Sequence, residues 1–351
     1  MIMEEQADDV SSLVSLLNRR ITFAAYSLPG NVALNYIVDD NVSPIVSSRR
    51  FVITAWNGET VEIFDRADIS HVAASQCGRH APVQSISTSW ADYESAVNRV
   101  VSLLKTTQGK VVISRLKILS DSRLDYLLIA KSLKKMFRKY RNAFCAVYYT
   151  PATGAWCVCS PELLLHIDKK SGELHTVALA GTRRYDIDGD WDDKNQREHS
   201  YVVRYIADTL ASIGIRPAIG RRETMATGDI RHLLTRISAN IINTGDRMPV
   251  ENILAALHPT PAICGYPVEW SRNVISEVEA HGRECYGGYI AVEDDEMFLS
   301  HVNLRCFAFE PGRCRFWGGG GIMSDSTPET EWNEASLKID ATLSYLREEL
   351  Q

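Results

Sequence analysis

The chain has 351 residues, enough to bury a substantial core as about two ordinary domains or one large one. Its composition is that of a globular protein, and a net charge of −6 argues against a nucleic-acid binder that works by neutralising phosphates. No apolar run reaches membrane-spanning length, and the acidic, serine-broken start MIMEEQADDVSSLVSLLNRR has the pattern of neither a signal nor a transit peptide. A cytoplasmic, membrane-free protein is expected. Of the eight cysteines only Cys157 and Cys159 lie close together, alternating as on a strand and without zinc-site spacing, so reduced buried thiols are expected.

In chain order, residues 4–20 predict a short amphipathic helix. Residues 21–90 predict strands (ITFAAYSL, ALNYIV, RRFVITAW, TVEIF) joined by Gly, Pro, Asn and Asp turns. SWADYESAVNRVVSLLKT (89–106) has a helical period, with Tyr93, Val97, Val100, Val101 and Leu104 on one face. Next comes a β-rich run from Lys110 to Arg115, with a charge at each end. Lys110 is either a solvated strand end or a side chain pointing into a cleft. A helix over 123–140 follows, its Lys/Arg face read as a solvated surface.

Residues 143–179 predict antiparallel strands with turns at PATG and KKSG. Between two of them sits Ser160-Pro161-Glu162-Leu163-Leu164. Glu162 could cap the Ser-Pro turn. Alternatively, a carboxyl beside an apolar sheet has a raised pKa and can act as a general acid.

Residues 180–210 organise the rest. A small-residue turn, Ala180-Gly181-Thr182, lets backbone N–H groups approach an anion closely. After an acidic segment, a helix opens at Glu198-His199 with Glu198 at its N-terminus, where a carboxylate can hold a hard cation. Further helices are predicted over 228–243 and 250–257. The loop Leu257-His258-Pro259-Thr260-Pro261-Ala262-Ile263-Cys264-Gly265-Tyr266-Pro267 has enough fixed φ to line a pocket rigidly.

A helix to about Glu279 leads to Arg283 and Tyr286-Gly287-Gly288. Strands GYIAVED, MFLSHVNLRCFAFE and RCRFWGGGG then precede a long C-terminal helix. Arg305 reads as a mid-strand charge in an apolar context, costly unless it meets an anion. Glycines 318–321 lack the βαβ context of a dinucleotide loop. Glu331, Glu334 and Lys338 share a helical face. The expected fold class is α+β: one large domain of two halves, antiparallel sheets with helices outside, and the site between them. Residues 1–88 form its strand-rich N-terminal part and 89–351 its catalytic region.

The order of motifs resembles the chorismate-utilising enzymes: Lys-Val-Val-x-Ser-Arg from Lys110, Ser-Pro-Glu-Leu-Leu from Ser160, Ala-Gly-Thr-Arg from Ala180, Glu-His-x-x-Val-Val from Glu198, the Leu257 loop, Arg-x-x-Tyr-x-Gly from Arg283, Arg305, the glycine-rich strand and Glu-x-x-Glu-x-x-x-Lys from Glu331. The resemblance covers about residues 90–350. It implies Lys110 as the base that activates water for attack at C2 of chorismate, and Glu162 as the acid that protonates the departing C4 hydroxyl. It implies Mg²⁺ held by Glu198 and Glu334, with Glu331 behind them through water. Arg305 and Tyr286 would clamp the enolpyruvyl carboxylate, assisted by backbone N–H groups at Gly319, Gly320 and Gly321. Gly181 and Thr182 would lie beside the ring carboxylate, with Lys338 as a further polar contact and His258 and Ala262 on the rigid loop.

The Lys110 motif favours water over ammonia as nucleophile. The Leu257–Ala262 loop has the isochorismate synthase form, because Ala262 stands where salicylate and anthranilate synthases carry Thr. The resemblance therefore implies reversible isomerisation of chorismate to isochorismate; salicylate synthase, or a non-catalytic chorismate-binding protein, is the alternative. A monomer is implied, with a pathway enzyme as a conceivable partner. Asn195 replaces a family Glu, Ala291 a usual Gly, and the segment before Glu198 is short.

Overall fold

The computed structural model describes residues 2–66, 86–242 and 248–351. Within them run seven helices: α1 (Ile2–Asn18), α2 (Trp90–Leu104), α3 (Tyr126–Lys139), α4 (Asp193–Ser212), α5 (Val250–Leu257), α6 (Val268–Val278) and α7 (Pro328–Leu350). The strands are β1 (Thr22–Ser27), β2 (Asn35–Asp39), β3 (Arg50–Thr54), β4 (Thr60–Phe64), β5 (Lys110–Ser120), β6 (Phe144–Thr150), β7 (Gly154–Ser160) and β8 (Leu163–Asp168). They continue with β9 (Glu173–Arg184), β10 (Ala218–Thr227), β11 (Ile230–Asn240), β12 (Gly265–Tyr266), β13 (Tyr289–Glu293), β14 (Met297–Val302), β15 (Cys306–Glu310) and β16 (Arg313–Ile322). Helix starts follow from capping side chains: Ser89, Asp125, Asp192 and Thr327 each accept a backbone N–H of the first turn.

The strands form two eight-stranded antiparallel sheets. The first runs β12-β5-β16-β15-β7-β6-β1-β2 and the second β10-β11-β9-β8-β14-β13-β3-β4. The α+β class and the single domain stand, but the sheets are not successive halves of the chain. Each takes strands from early and late sequence, and the N-terminal strands contribute to both: β1 and β2 to the first, β3 and β4 to the second.

Alternation sorts the core. On β1, Ala24 and Tyr26 face the second sheet's Phe51 and Ile290, while Phe23 and Ala25 face Leu16 of α1, Leu133 of α3 and Leu343 of α7. Cys157 and Cys159 share this helix-covered face; all seven cysteines among the described residues are free and buried, and Cys77 lies outside those residues. No helix among the described residues is long and apolar enough to cross a membrane.

The structure corrects four local readings. Residues 228–243 do not form a helix: Ile230, Leu233, Leu234 and Ile237 imitate a helical period, but they lie on β11, an inner strand between β9 and β10 and buried on both faces over much of its length. Helix α4 begins at Asp193 behind the Asp192 cap, so Glu198 stands in its second turn and not at its N-terminus. Ala180-Gly181-Thr182 is not a turn but a bulge within β9, where Leu233 pairs with Ala180 and Arg231 with Arg183, leaving two residues opposite His232. Gly181 adopts φ 76° there, which only glycine takes at little cost.

The fourth correction concerns Arg305, which is not mid-strand. It occupies the corner where the chain leaves β14 in the second sheet for β15 in the first, at φ 49°. Glu162 sits at the matching corner, between β7 in the first sheet and β8 in the second. Two sheet-switching corners thus deliver an acid and a cation to the same seam.

Candidate active site

A small pocket of about 60 Å³ lies at this seam, lined among others by Glu162, Gly181, Thr182, Glu198, Ala262 and Tyr286, and by Arg305, the glycines 318–321 and Lys338. A larger cavity of about 570 Å³ lies beside it. Chemistry, not size, identifies the smaller as the candidate site, because the motif residues converge there.

Lys110 opens β5, and the period of two places it on the same strand face as Val112, a wall of the pocket. Its side chain is fully buried, and Nζ donates to Glu198 Oε1 at 2.7 Å. Of the two early readings, the solvated strand end is excluded. Glu162 is also buried and accepts a long hydrogen bond from Thr260 Oγ1 at 3.4 Å. Burial pushes its carboxyl up to about 8, against the opposing charge of Lys110, so the carboxyl is protonated at neutral pH and can donate.

The glycines of β16 explain how charged side chains from two helices reach one stretch of backbone. A Cβ on Gly320 would come 2.9 Å from Glu331 Oε2 and 3.3 Å from Glu334 Oε1. A Cβ on Gly321 would come 2.1 Å from Glu198 Oε1. Side chains on β16 would therefore displace these carboxylates.

Each carboxylate holds a lysine. Glu198 holds Lys110, Glu331 holds Lys194 at 2.5 Å, and Glu334 holds Lys338 at 2.8 Å. Burial and its neighbour Glu334 raise the pKa of Glu331. Glu334 is held below its ordinary value: burial opposes this, and Lys338 and Lys194 outweigh it. The ammonium of Lys194 lies in the field of Glu331, Glu334 and Glu198, which raise its pKa against the cost of burial. The sequence reading did not single out Lys194.

The donor set fits a hard cation. It consists of carboxylate oxygens, it already gathers a cation, and Glu331 Oε2 is buried without a partner. Its arrangement is that of a lysine-held cluster, since among the described residues no three acidic, imidazole or thiol side chains are close enough to share one ion.

Arg305 is buried, and burial lowers its pKa. Its Nη2 donates to His232 Nε2 at 2.9 Å, while Nη1 has no partner. Because Nε2 accepts, the proton of His232 sits on Nδ1, which donates to the Gly181 carbonyl at 2.8 Å. Burial, and then Arg305, push the imidazole down to about 3, so it remains neutral. His232 thus ties the β9 bulge to the guanidinium and leaves Nη1 free for an anion. The sequence reading missed it, since one histidine in an apolar run carries no signal.

Asn195 Oδ1 accepts the Thr182 N–H at 3.2 Å, and its Nδ2 donates to Asp192 at 2.8 Å. A carboxylate could accept the first bond but not donate the second. The Thr182 N–H is therefore already used, contrary to the expectation that the bulge offers it to a ligand. Lys338 also donates to the Gly319 carbonyl at 2.7 Å. His258 does not line the pocket; its Nε2 bonds the Gly287 carbonyl at 2.9 Å and braces the loop. Ala291 is buried between the sheets.

Residues 48–347 match the family model for the chorismate binding enzyme. The chain belongs to the chorismate-binding enzyme family. Among relatives of this family, isochorismate synthase EntC of Escherichia coli is 28% identical over 269 residues, covering 72% of this chain and 66% of that protein. The salicylate biosynthesis isochorismate synthase of Pseudomonas aeruginosa is 30% identical over 273 residues, covering 71% and 53%. Isochorismate synthase 2 of Arabidopsis thaliana is 29% identical over 273 residues, covering 73% and 47%. The chain therefore spans about half to two-thirds of the length of these relatives.

In structure, the menaquinone-specific isochorismate synthase MenF of E. coli superposes with a TM-score of 0.75 at 20% identity, covering 97% of this chain and 91% of that one. Anthranilate synthase component I of Streptococcus pneumoniae gives 0.66 at 12% identity, with 92% of each chain covered. The fold is thus shared with an isochorismate synthase and with an anthranilate synthase component.

Proposed function

We propose that the protein is an isochorismate synthase that interconverts chorismate and isochorismate. The observation that carries this reading is the placement of a buried lysine and a protonated, buried glutamic acid at one seam, beside a buried guanidinium with a free Nη1. The relatives' names agree with it.

In this reading Lys110 acts once it is released from Glu198 as a neutral amine: it takes a proton from the water that attacks C2, and Glu162 gives its proton to the departing C4 hydroxyl. One water enters and one leaves, so the reaction is an isomerisation. Arg305 Nη1, held in place by His232, receives a substrate carboxylate. Glu198 and Glu334 would hold Mg²⁺, with Glu331 behind them through water, and the ion when bound would offset a carboxylate charge of the substrate. Ala262 offers no hydroxyl at the pocket wall, in keeping with a reaction that stops short of pyruvate elimination. Chorismate turnover by Lys110→Ala and Glu162→Gln tests the assignment: both folded variants should lose isomerisation, and undiminished turnover by either removes that residue from the chemistry.

A further inference from the structure

The larger cavity, about 570 Å³, shares a wall with the site described above: Gly282 to Cys285 line it, and Tyr286 lines the smaller pocket. Its volume falls within the range of small-molecule sites, roughly 300–1,000 Å³. It opens among three strand connections, after β3 at Trp56, after β6 at Thr153 and after β15 at Pro311. Trp56, Tyr149 and Phe309 give it aromatic walls, and Trp56 is pinned by the Arg283 guanidinium 4.4 Å from its ring.

Four arginines line the cavity, of which Arg20 is exposed, Arg313 half-buried and Arg283 and Arg315 buried. Arg315 donates Nη1 to Glu284 and lies 5.4 Å from the Trp317 ring; among the described residues its Nε and Nη2 meet no other partner. Arg283 cannot play this part, because its N–H groups go to Glu279 and to the carbonyls of Ile263 and Val112. Glu59 and Glu310 belong to the exposed rim. Glu284, which orients Arg315, is held at φ 52°, a conformation that is costly for a non-glycine residue and collects at functional sites. Arg305, in the smaller pocket, is held the same way.

We propose that this cavity is a second ligand site, for a small planar carboxylic acid. The acid takes the open Nε–Nη2 edge of Arg315, and the ring lies against Trp56, Tyr149 and Phe309. The site is separate from the catalytic reading and stands or falls without it.

Equilibrium dialysis with labelled benzoate, and with neutral benzamide for comparison, tests the proposal. Benzoate should bind the Arg305→Gln protein, in which the smaller pocket has lost its own guanidinium, and benzamide should bind more weakly. Arg315→Gln should weaken benzoate on the order of tenfold. Ala152→Trp, which fills the cavity from an exposed position, should weaken it similarly and serves where Arg315→Gln does not fold. The proposal is overturned by absence of benzoate binding at millimolar concentration, by loss of binding in Arg305→Gln alone, or by unchanged affinity in Ala152→Trp.

Discussion

The Nζ of Lys110 lies 2.7 Å from Oε1 of Glu198, and both side chains are buried. The pair joins the start of β5 to the second turn of α4. Removing one partner of a buried ion pair leaves an uncompensated charge and costs about 3–5 kcal/mol. Lys110→Met and Glu198→Gln should therefore each lower the midpoint of urea unfolding, and the double variant should lose less than the sum of the two. Additive losses would show that the pair is not coupled in solution.

The Glu162 carboxyl gives a pH signature. Its folded-state pKa, about 8, lies above its ordinary value of 4.5, so between these limits the native state keeps a proton that the unfolded chain has lost. The contribution to stability is complete below the lower value and is lost as pH rises through the upper one. Catalysis should follow the same proton, with turnover declining above about pH 8. Glu162→Gln should abolish turnover and flatten the fall of stability across this window, as followed by thermal melts at several pH values.

His232 acts through Arg305. Without its imidazole the guanidinium loses a neutral acceptor in a buried setting, where a hydrogen bond to a charged group is worth about 1.5–3 kcal/mol. His232→Ala should raise KM for chorismate by roughly 10- to 100-fold, with a smaller change in kcat, and His232→Asn should recover part of the loss. An unchanged KM would mean that Arg305 is positioned by its backbone alone.

Much of this was legible before the structure. Glu162 and Arg305 announce themselves as charges in apolar surroundings. Such placements are costly and so carry information. Lys110 and the acidic face of the last helix, by contrast, gain their meaning only from the order of motifs around them. The sheets' antiparallel hairpins were legible from their turns. The pattern failed at β11, where an inner strand buried largely on both faces imitates a helical period, and at Ala180-Gly181-Thr182, where a bulge imitates a turn. It could not reveal Lys194, His232 or Thr260 as site residues, because their meaning comes from partners 137, 73 and 98 positions away. Nor could it show that Glu162 and Arg305 occupy matching corners, since sheet exchange is a property of topology.

The glycine strand offers a steric test. Gly321→Ala would bring Cβ to 2.1 Å from Glu198 Oε1, so the carboxylate must leave its place. We expect Gly321→Ala to lose nearly all turnover while its far-ultraviolet circular dichroism remains that of the wild type. Retained turnover would show that Glu198 is not needed where it stands.

Position 262 tests where the reaction stops. Ala262→Thr adds a hydroxyl to the pocket wall and should let pyruvate appear alongside isochorismate, as detected by a coupled lactate dehydrogenase assay. Absence of pyruvate would remove this position from control of the elimination step.

The central claim is tested most directly by incubating the purified protein with chorismate and Mg²⁺ and separating the products by chromatography. The account predicts an equilibrium mixture of chorismate and isochorismate without pyruvate. Salicylate with pyruvate, or chorismate bound but unchanged, would contradict it.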